Sequence, residues 1–159
     1  MNPQARKKTL RMLSNGIYIM TARSGERYGG ATVTWVSQSS FHPPIVMAAV
    51  RKESNVYRCT VESGTAAIHI VGSDQQHIAQ RFFCPTTVEG DRINGEPFHL
   101  SAMSIPILNN LPAYIECEVR EVLDGVGDHA VMLLEVVEAE CRTGVCPLTV
   151  AGSPWTYGG

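Results

Sequence analysis

Two long β-forming runs near the C-terminal end, Ala113 to Val122 and His129 to Glu140, constrain the fold most; Asp124-Gly125-Val126-Gly127-Asp128 joins them. Glycines in such a connection suit a hairpin, because tight turns need positive φ. In the first run Ile115, Cys117 and Val119 alternate with Glu116, Glu118 and Arg120, the two-residue period of an antiparallel strand with one wet face. The second contains Ala130-Val131-Met132-Leu133-Leu134, apolar on both sides of the pleat, so each side needs a cover. One side belongs in a core and the other is available to a second subunit.

Upstream patterns supply more sheet. Residues Pro3 to Leu13 predict a short amphipathic helix that Gly16 ends. Ile17 to Ala22, Ala31 to Ser37 and Ile45 to Val50 read as strands, separated by Ser24-Gly25 and His42-Pro43-Pro44. Ser54 can cap a helix through Glu62, with Gly64 as its stop. Thr65 to Val71 is again β-like, and Ser73 with Gln76 makes a capping box for a helix reaching about Phe83, whose Ile78 and Phe82 share a buried face. Pro85 to Asn110 is rich in Gly, Pro and Asn and holds at most short strands. Many closely spaced strands with few helices predict a mainly β chain, an antiparallel barrel with two or three short helices. With 159 residues the chain reads as one domain over residues 1–140, with 141–159 a C-terminal tail packing on or near the barrel.

Apolar residues make up 44% and charged residues 18% of the chain, as in folded globular proteins. A formal net charge of −2 lacks the basic excess that phosphate backbones attract, which argues against nucleic acid. No apolar run of signal-peptide or membrane-spanning length follows the basic stretch Arg6, Lys7, Lys8 and Arg11, so a soluble, cytoplasmic protein is expected. The 5 cysteines are odd in number and lack a C-x-x-C pair, against a disulfide framework, and Cys117 reads as a buried reduced thiol. His42, His69, His77 and His99 show no metal-ligand spacing and are read as structural, so no metal site is expected.

There is no G-x-G-x-x-G after a strand and no Walker A sequence, so a nucleotide would need another cradle. The candidate is Val50-Arg51-Lys52-Glu53-Ser54-Asn55, where a strand ends, cations gather and a helix begins with N–H groups free for an anion. Taken alone, Arg51 and Lys52 read equally as solvated loop charges and Ser54 as a plain helix cap. The neighbouring strand favours a site: Thr32, Thr34 and Ser37 offer hydroxyls and Trp35 a large ring beside amides that could bond the edge of a flat heterocycle.

The run Gly30-Ala31-Thr32-Val33-Thr34-Trp35-Val36-Ser37-Gln38-Ser39-Ser40-Phe41-His42-Pro43-Pro44 resembles the signature of the flavin reductase-like, FMN-binding split-barrel family. The Arg51 to Asn55 turn, the helix with Asp74-Gln75-Gln76 and Ala79-Gln80-Arg81-Phe82, and Gly127-Asp128-His129 keep the family's order, so the resemblance spans about Leu13 to Glu140. It implies a homodimeric, antiparallel split β-barrel binding FMN, or FAD, with NADH or NADPH as reductant. Carried over by position, Thr34, Trp35, Val36 and Ser37 would meet the isoalloxazine ring, and Val50, Arg51, Lys52, Ser54 and Asn55 would lie along the approach to the phosphate. Arg81, Phe82 and Phe83 fall where similar proteins approach the flavin again. His129 matches the histidine that contacts the nicotinamide nucleotide.

Hydride would pass directly from nicotinamide to flavin, leaving the protein to stack two rings and donate hydrogen bonds from Val36, Ser37 or Thr34. Many of these reductases carry a small Ser where this chain has Trp35, a ring that could cover the face a nicotinamide must reach. The tail Pro154-Trp155-Thr156-Tyr157-Gly158-Gly159 resembles the end of reductase domains found in flavoredoxin-like and multidomain flavoproteins, or joined to rubredoxin modules. Three functions follow: an NAD(P)H-dependent flavin reductase, an electron-transfer flavoprotein served by a redox protein such as a rubredoxin-type carrier, and a non-enzymatic ligand-binding barrel.

Overall fold

In the computed structural model, which describes residues 1–159, the C-terminal ribbon forms as its alternation requires, and the chain builds outward from it. In chain order the elements are α1 (Pro3–Leu10), β1 (Tyr18–Ser24), β2 (Arg27–Val33), β3 (Val36–Ser40), β4 (Ile45–Arg51), α2 (Asn55–Ser63), β5 (Thr65–Ile70) and α3 (Gln76–Arg81). Four short strands follow, β6 (Val88–Glu89), β7 (Arg92–Ile93), β8 (Glu96–Leu100) and β9 (Pro106–Leu108), then the ribbon β10 (Ala113–Leu123) and β11 (His129–Cys141). The chain is mainly β, with antiparallel pairing throughout and three helices.

A 7-stranded sheet runs β2-β1-β5-β10-β11-β4-β3, and a 4-stranded one runs β6-β7-β8-β9. The two edge strands of the large sheet, β2 and β3, are consecutive in sequence. Chain leaving one edge must therefore cross directly to the other, which rolls the sheet into a barrel and leaves a split at Thr34 and Trp35. For that reason the single strand expected over Ala31 to Ser37 is broken in two. The Trp35 carbonyl accepts from Ala49 N–H at 2.9 Å, tying the crossing to β4.

The barrel interior is filled by Met20, Ala22, Ala48, Val50, Ile68, Cys117, Met132 and Leu134, closed at one end by Val56 and Cys59 of α2. Burial of side chains of this size supplies roughly 1.5–3 kcal/mol each for the larger ones, the main favourable contribution to folding. A second core lies outside the barrel, where Ile17, Ile19 and Val71 meet Ile78, Ala79 and Phe82 of the α3 region, Ile93, Leu108, Leu111 and the tail residue Leu148. Ile78 and Phe82 thus share a buried face as their spacing predicts. His69, fully buried, joins both layers: its Nδ1 lies 3.1 Å from the Ile19 carbonyl and its Nε2 accepts from Leu108 N–H at 3.0 Å.

Four local expectations are corrected. The α1 helix is capped by Asn2, but it ends at Leu10 and buries no residue, so it is not amphipathic in use. Gly16 does not stop it; Gly16 bridges Thr149, and a Cβ there would strike the Tyr18 ring. Ser73 and Gln76 form no capping box, because α3 begins after Gln75 and the Ser73 N–H is donated to the Cys146 carbonyl at 2.9 Å. Glu116, expected on a wet face, is buried and accepts from Ser101 Oγ at 2.7 Å, since the segment around Ser101–Leu108 covers that side of β10. All five cysteines are free thiols, Cys59 and Cys117 being buried.

Candidate cofactor cleft

The site forms where the barrel splits. A cleft of about 920 Å³ falls within the ~300–1,000 Å³ usual for small-molecule sites. One wall is Gly30–Thr34; the floor continues along Ala49, Val50 and Arg51 into Glu53, Ser54 and Asn55; Phe82–Thr86 and the tail residues Pro154–Tyr157 face them, with His129 among the lining groups.

Each wall has a local cause. Ser54 is the N-cap of α2, its hydroxyl accepting from Tyr57 N–H at 3.2 Å, and Gly64 at φ 74° closes the helix. The first N–H groups of a helix have no partner within it, so this end of the cleft offers donors and the positive end of a dipole. Arg51, exposed at the end of β4, adds a cation that makes no ion pair within 4.0 Å. Gly29 lets β2 and α2 meet: a Cβ there would stand 2.5 Å from Val56 Cα. Thr32 is fixed from behind, its hydroxyl donating to the Ala79 carbonyl at 2.6 Å. Thr34 Oγ1 is buried without a hydrogen-bond partner, a polar atom at the wall of a mostly apolar cleft.

The residues expected at the site fall into two groups. Thr34, Val50, Arg51, Ser54, Asn55, Phe82, Phe83 and His129 come together in the cleft, whereas Trp35, Val36, Ser37, Lys52 and Arg81 do not line it. Lys52 is turned away, its ammonium donating to the Asp124 carbonyl in the β10–β11 hairpin. Arg81 is paired with the buried Glu96 carboxylate at 2.7 Å, which Asn110 also binds. Ser37 is exposed on β3 and its hydroxyl donates to the Gln38 carbonyl. Trp35 stands beside the cleft, with its ring 4.7 Å from that of His129 and 5.3 Å from that of Tyr157.

Thr86 joins the site without a motif of its own to mark it, and the tail, expected to pack on or near the barrel, lines the cleft itself. Thr86 bridges the edge of β2, accepting from Gly30 N–H at 3.0 Å and donating to the Gly30 carbonyl at 3.2 Å. Trp155 packs edge-on against Phe83 at 4.8 Å, and the Tyr157 hydroxyl lies 3.1 Å from His129 Nε2. The far nitrogen of that imidazole, Nδ1, lies 2.8 Å from Asp128 Oδ1, and this hydrogen bond holds the Asp128 carboxyl below the usual carboxylate range. No group of three or more His, Cys, Asp or Glu is placed to hold a metal ion, and no helix is long and apolar enough to cross a membrane.

Fold and cleft together define an antiparallel split barrel whose split opens a largely apolar cleft with a cation and a helix N-terminus at one end. The chain belongs to the flavin reductase-like domain family, whose sequence profile matches residues 10–153. It is 30% identical to diflavin flavoprotein A 1 of Synechocystis sp. over 131 residues, which is 82% of this chain and 23% of that protein. It is 27% identical to the FMN reductase (NADH) SmoA of Agrobacterium fabrum over 151 residues, covering 95% of this chain and 83% of SmoA. The styrene monooxygenase flavin reductase of Pseudomonas putida S12 superposes with a TM-score of 0.78 at 22% identity, over 97% of this chain and 96% of that one. The chain thus spans under a quarter of the diflavin flavoproteins it matches, and most of the stand-alone reductases.

Proposed function

We propose that this chain is an NAD(P)H-dependent flavin reductase that holds FMN, with FAD as the alternative, in the cleft between Thr34 and Asn55. One observation carries the reading: a single apolar-walled cleft joins the unpartnered Thr34 hydroxyl to the capped N-terminus of α2 beside Arg51. These residues fit the group. Arg51, Ser54 and Asn55 would receive the phosphate, and Gly30–Thr34 would lie along the ring, where the Thr34 hydroxyl gains the partner it lacks.

A bound flavin supplies the hydride-accepting ring; the protein orients and shields it. Phe82, Phe83 and Trp155 make the apolar side of the cleft that excludes water, and the positive end of α2 opposes the phosphate charge. Nicotinamide enters from the His129 side, where Tyr157 also lines the cleft. Names of relatives support the pairing of flavin with nicotinamide: SmoA is an FMN reductase (NADH), and a neighbour in fold is the Streptomyces globisporus C-1027 NADH:FAD oxidoreductase SgcE6 in complex with NAD and FAD fragments.

The outward side of the ribbon supports a homodimer. Val131 and Leu133 on β11 are half-buried, Leu133 pairs with the exposed Met47 on β4, and Val137 is exposed beyond them. We place the protein in the cytoplasm, a reducing compartment in keeping with its five unpaired thiols. The test of function is direct. Protein purified without added flavin is expected to be yellow or to bind FMN on titration, and anaerobic NADH or NADPH should bleach that absorbance. Flavin that neither nucleotide bleaches overturns the reading and favours the second one, reduction by a redox protein such as a rubredoxin-type carrier, which the match to a segment of the diflavin flavoproteins supports.

A further inference from the structure

The geometry points to Tyr157, rather than His129, as the residue whose polar group meets the nicotinamide nucleotide, with Asp128 and His129 acting behind it as positioning residues. This inference rests on the reductase reading of the cleft.

Both hydrogen-bonding atoms of His129 are already engaged. A carboxylate only accepts, so the 2.8 Å contact to Asp128 Oδ1 requires the proton on Nδ1. In the neutral imidazole Nε2 is then an acceptor, and the 3.1 Å contact to Tyr157 is made by the tyrosine O–H donating to it. Trp35 also packs beside the ring, with centroids 4.7 Å apart and the planes tilted by 51°. The His129 side chain is only 12% exposed. Tyr157 is 41% exposed and lines the same cleft. Its proton is committed to His129, but its oxygen keeps lone pairs that can accept from a carboxamide N–H or a ribose hydroxyl.

Tyr157 is also held as a site residue must be. Its ring rests 5.3 Å from Trp35, the next carbonyl, Gly158, accepts from Arg11 Nε at 3.0 Å, and Gly159 lies against Lys7. The α1 helix buries nothing of its own, and its place in the fold is to pin this tail. A chain of Asp128, His129 and Tyr157 thus fixes one acceptor at the mouth of the cleft, the pre-organisation that lets a weak contact select a substrate.

The experiment compares Tyr157→Phe, His129→Ala and the double variant, each loaded with FMN. Tyr157→Phe retains the ring and its stacking and removes only the oxygen. It is expected to raise KM for NADH about fivefold, as for loss of one neutral hydrogen bond, while kcat and the affinity for FMN stay within about twofold. His129→Ala should match it, and the double variant should be no worse than either, because all three lose one contact. In wild-type protein NAD+ should shift the His129 Nε2 resonance and leave Nδ1 protonated; in Tyr157→Phe that response should vanish. A silent Tyr157→Phe beside an impaired His129→Ala, or a response to NAD+ that survives Tyr157→Phe, overturns the assignment. Wild-type flavin that no nicotinamide bleaches overturns the reductase reading and the Tyr157 assignment with it, whereas wild-type flavin that is bleached beside a silent Tyr157→Phe overturns the assignment alone.

Discussion

Gly29 and Val56 touch backbone to backbone: a Cβ on Gly29 would stand 2.5 Å from Val56 Cα and 2.6 Å from Val56 N. The contact fixes where α2 begins relative to β2, and so the distance between the two ends of the cleft. Gly29→Ala must push the helix away, at the ~1–3 kcal/mol typical of overpacking. It should weaken FMN binding beyond its effect on stability, because Asn55 and the helix N-terminus move with Val56. Gly25, at φ 58° with open space around it, is the control: Gly25→Ala should cost about 1 kcal/mol in urea unfolding and leave the affinity for FMN unchanged. Equal loss of FMN affinity in both variants would show that Gly29 only stabilises the fold.

Arg51 and Lys52 are adjacent in sequence but have different partners. Arg51 lines the cleft, while Lys52 donates to the Asp124 carbonyl. Arg51→Ala should reduce FMN affinity about tenfold, as for loss of one hydrogen bond to a charged group, with a weaker dependence on salt than the parent. Lys52→Ala should leave FMN affinity nearly unchanged. Isothermal titration at two ionic strengths separates the two, and a larger effect at Lys52 would move the phosphate out of the place assigned to it.

The features legible in the sequence are local. Ser54 and Gly64 act within a few residues of themselves, and their roles hold in the structure; the hairpin between the last two strands forms where expected, but neither Gly125 nor Gly127 adopts the positive φ that its glycines suggest. What the sequence does not show depends on partners distant along the chain. Lys52 finds its acceptor 72 residues away, and Arg81 is taken by Glu96, so two cations that look available are spent on the fold. The break at Thr34 and Trp35 follows from barrel closure, which no strand pattern reveals by itself. The tail reaches the cleft through the isolated bridges Gly72 to Pro147 and Gly16 to Thr149, too short to leave a periodic signal; the visible hints are its resemblance to the end of reductase domains and the aromatic pair Trp155 and Tyr157.

In the sequence Trp35 reads as a ring able to cover the flavin. Its ring instead braces His129 and Tyr157 from outside the cleft. Trp35→Ser should therefore impair NADH use, raising KM severalfold through loss of that support, with FMN affinity within about twofold. A rise in the rate of NADH oxidation would instead mean that the ring does shield the flavin, and steady-state kinetics at saturating FMN distinguish the two.

His69 makes the stability of the barrel depend on pH. Complete burial without a charged partner lowers its pKa from the usual 6.5 to about 4, because the cation would be desolvated and would turn the acceptor of Leu108 N–H into a second donor. In the unfolded chain the imidazole takes up its proton near 6.5; in the folded barrel it does so only near 4. Between those values the unfolded state binds more protons, so stability is fully present above pH 6.5 and is lost as pH falls toward 4. The difference corresponds to a loss on the order of 3 kcal/mol, distributed over that window. Urea unfolding at about pH 7.5, 5.5 and 4.5 should show the midpoint falling steadily. A His69→Asn variant, which keeps a side-chain acceptor for Leu108 but cannot be protonated, should begin less stable at about pH 7.5 and lose less over the same range. If both proteins lose stability in parallel, the acid sensitivity belongs to the surface carboxylates and not to the histidine that joins the barrel to its outer core.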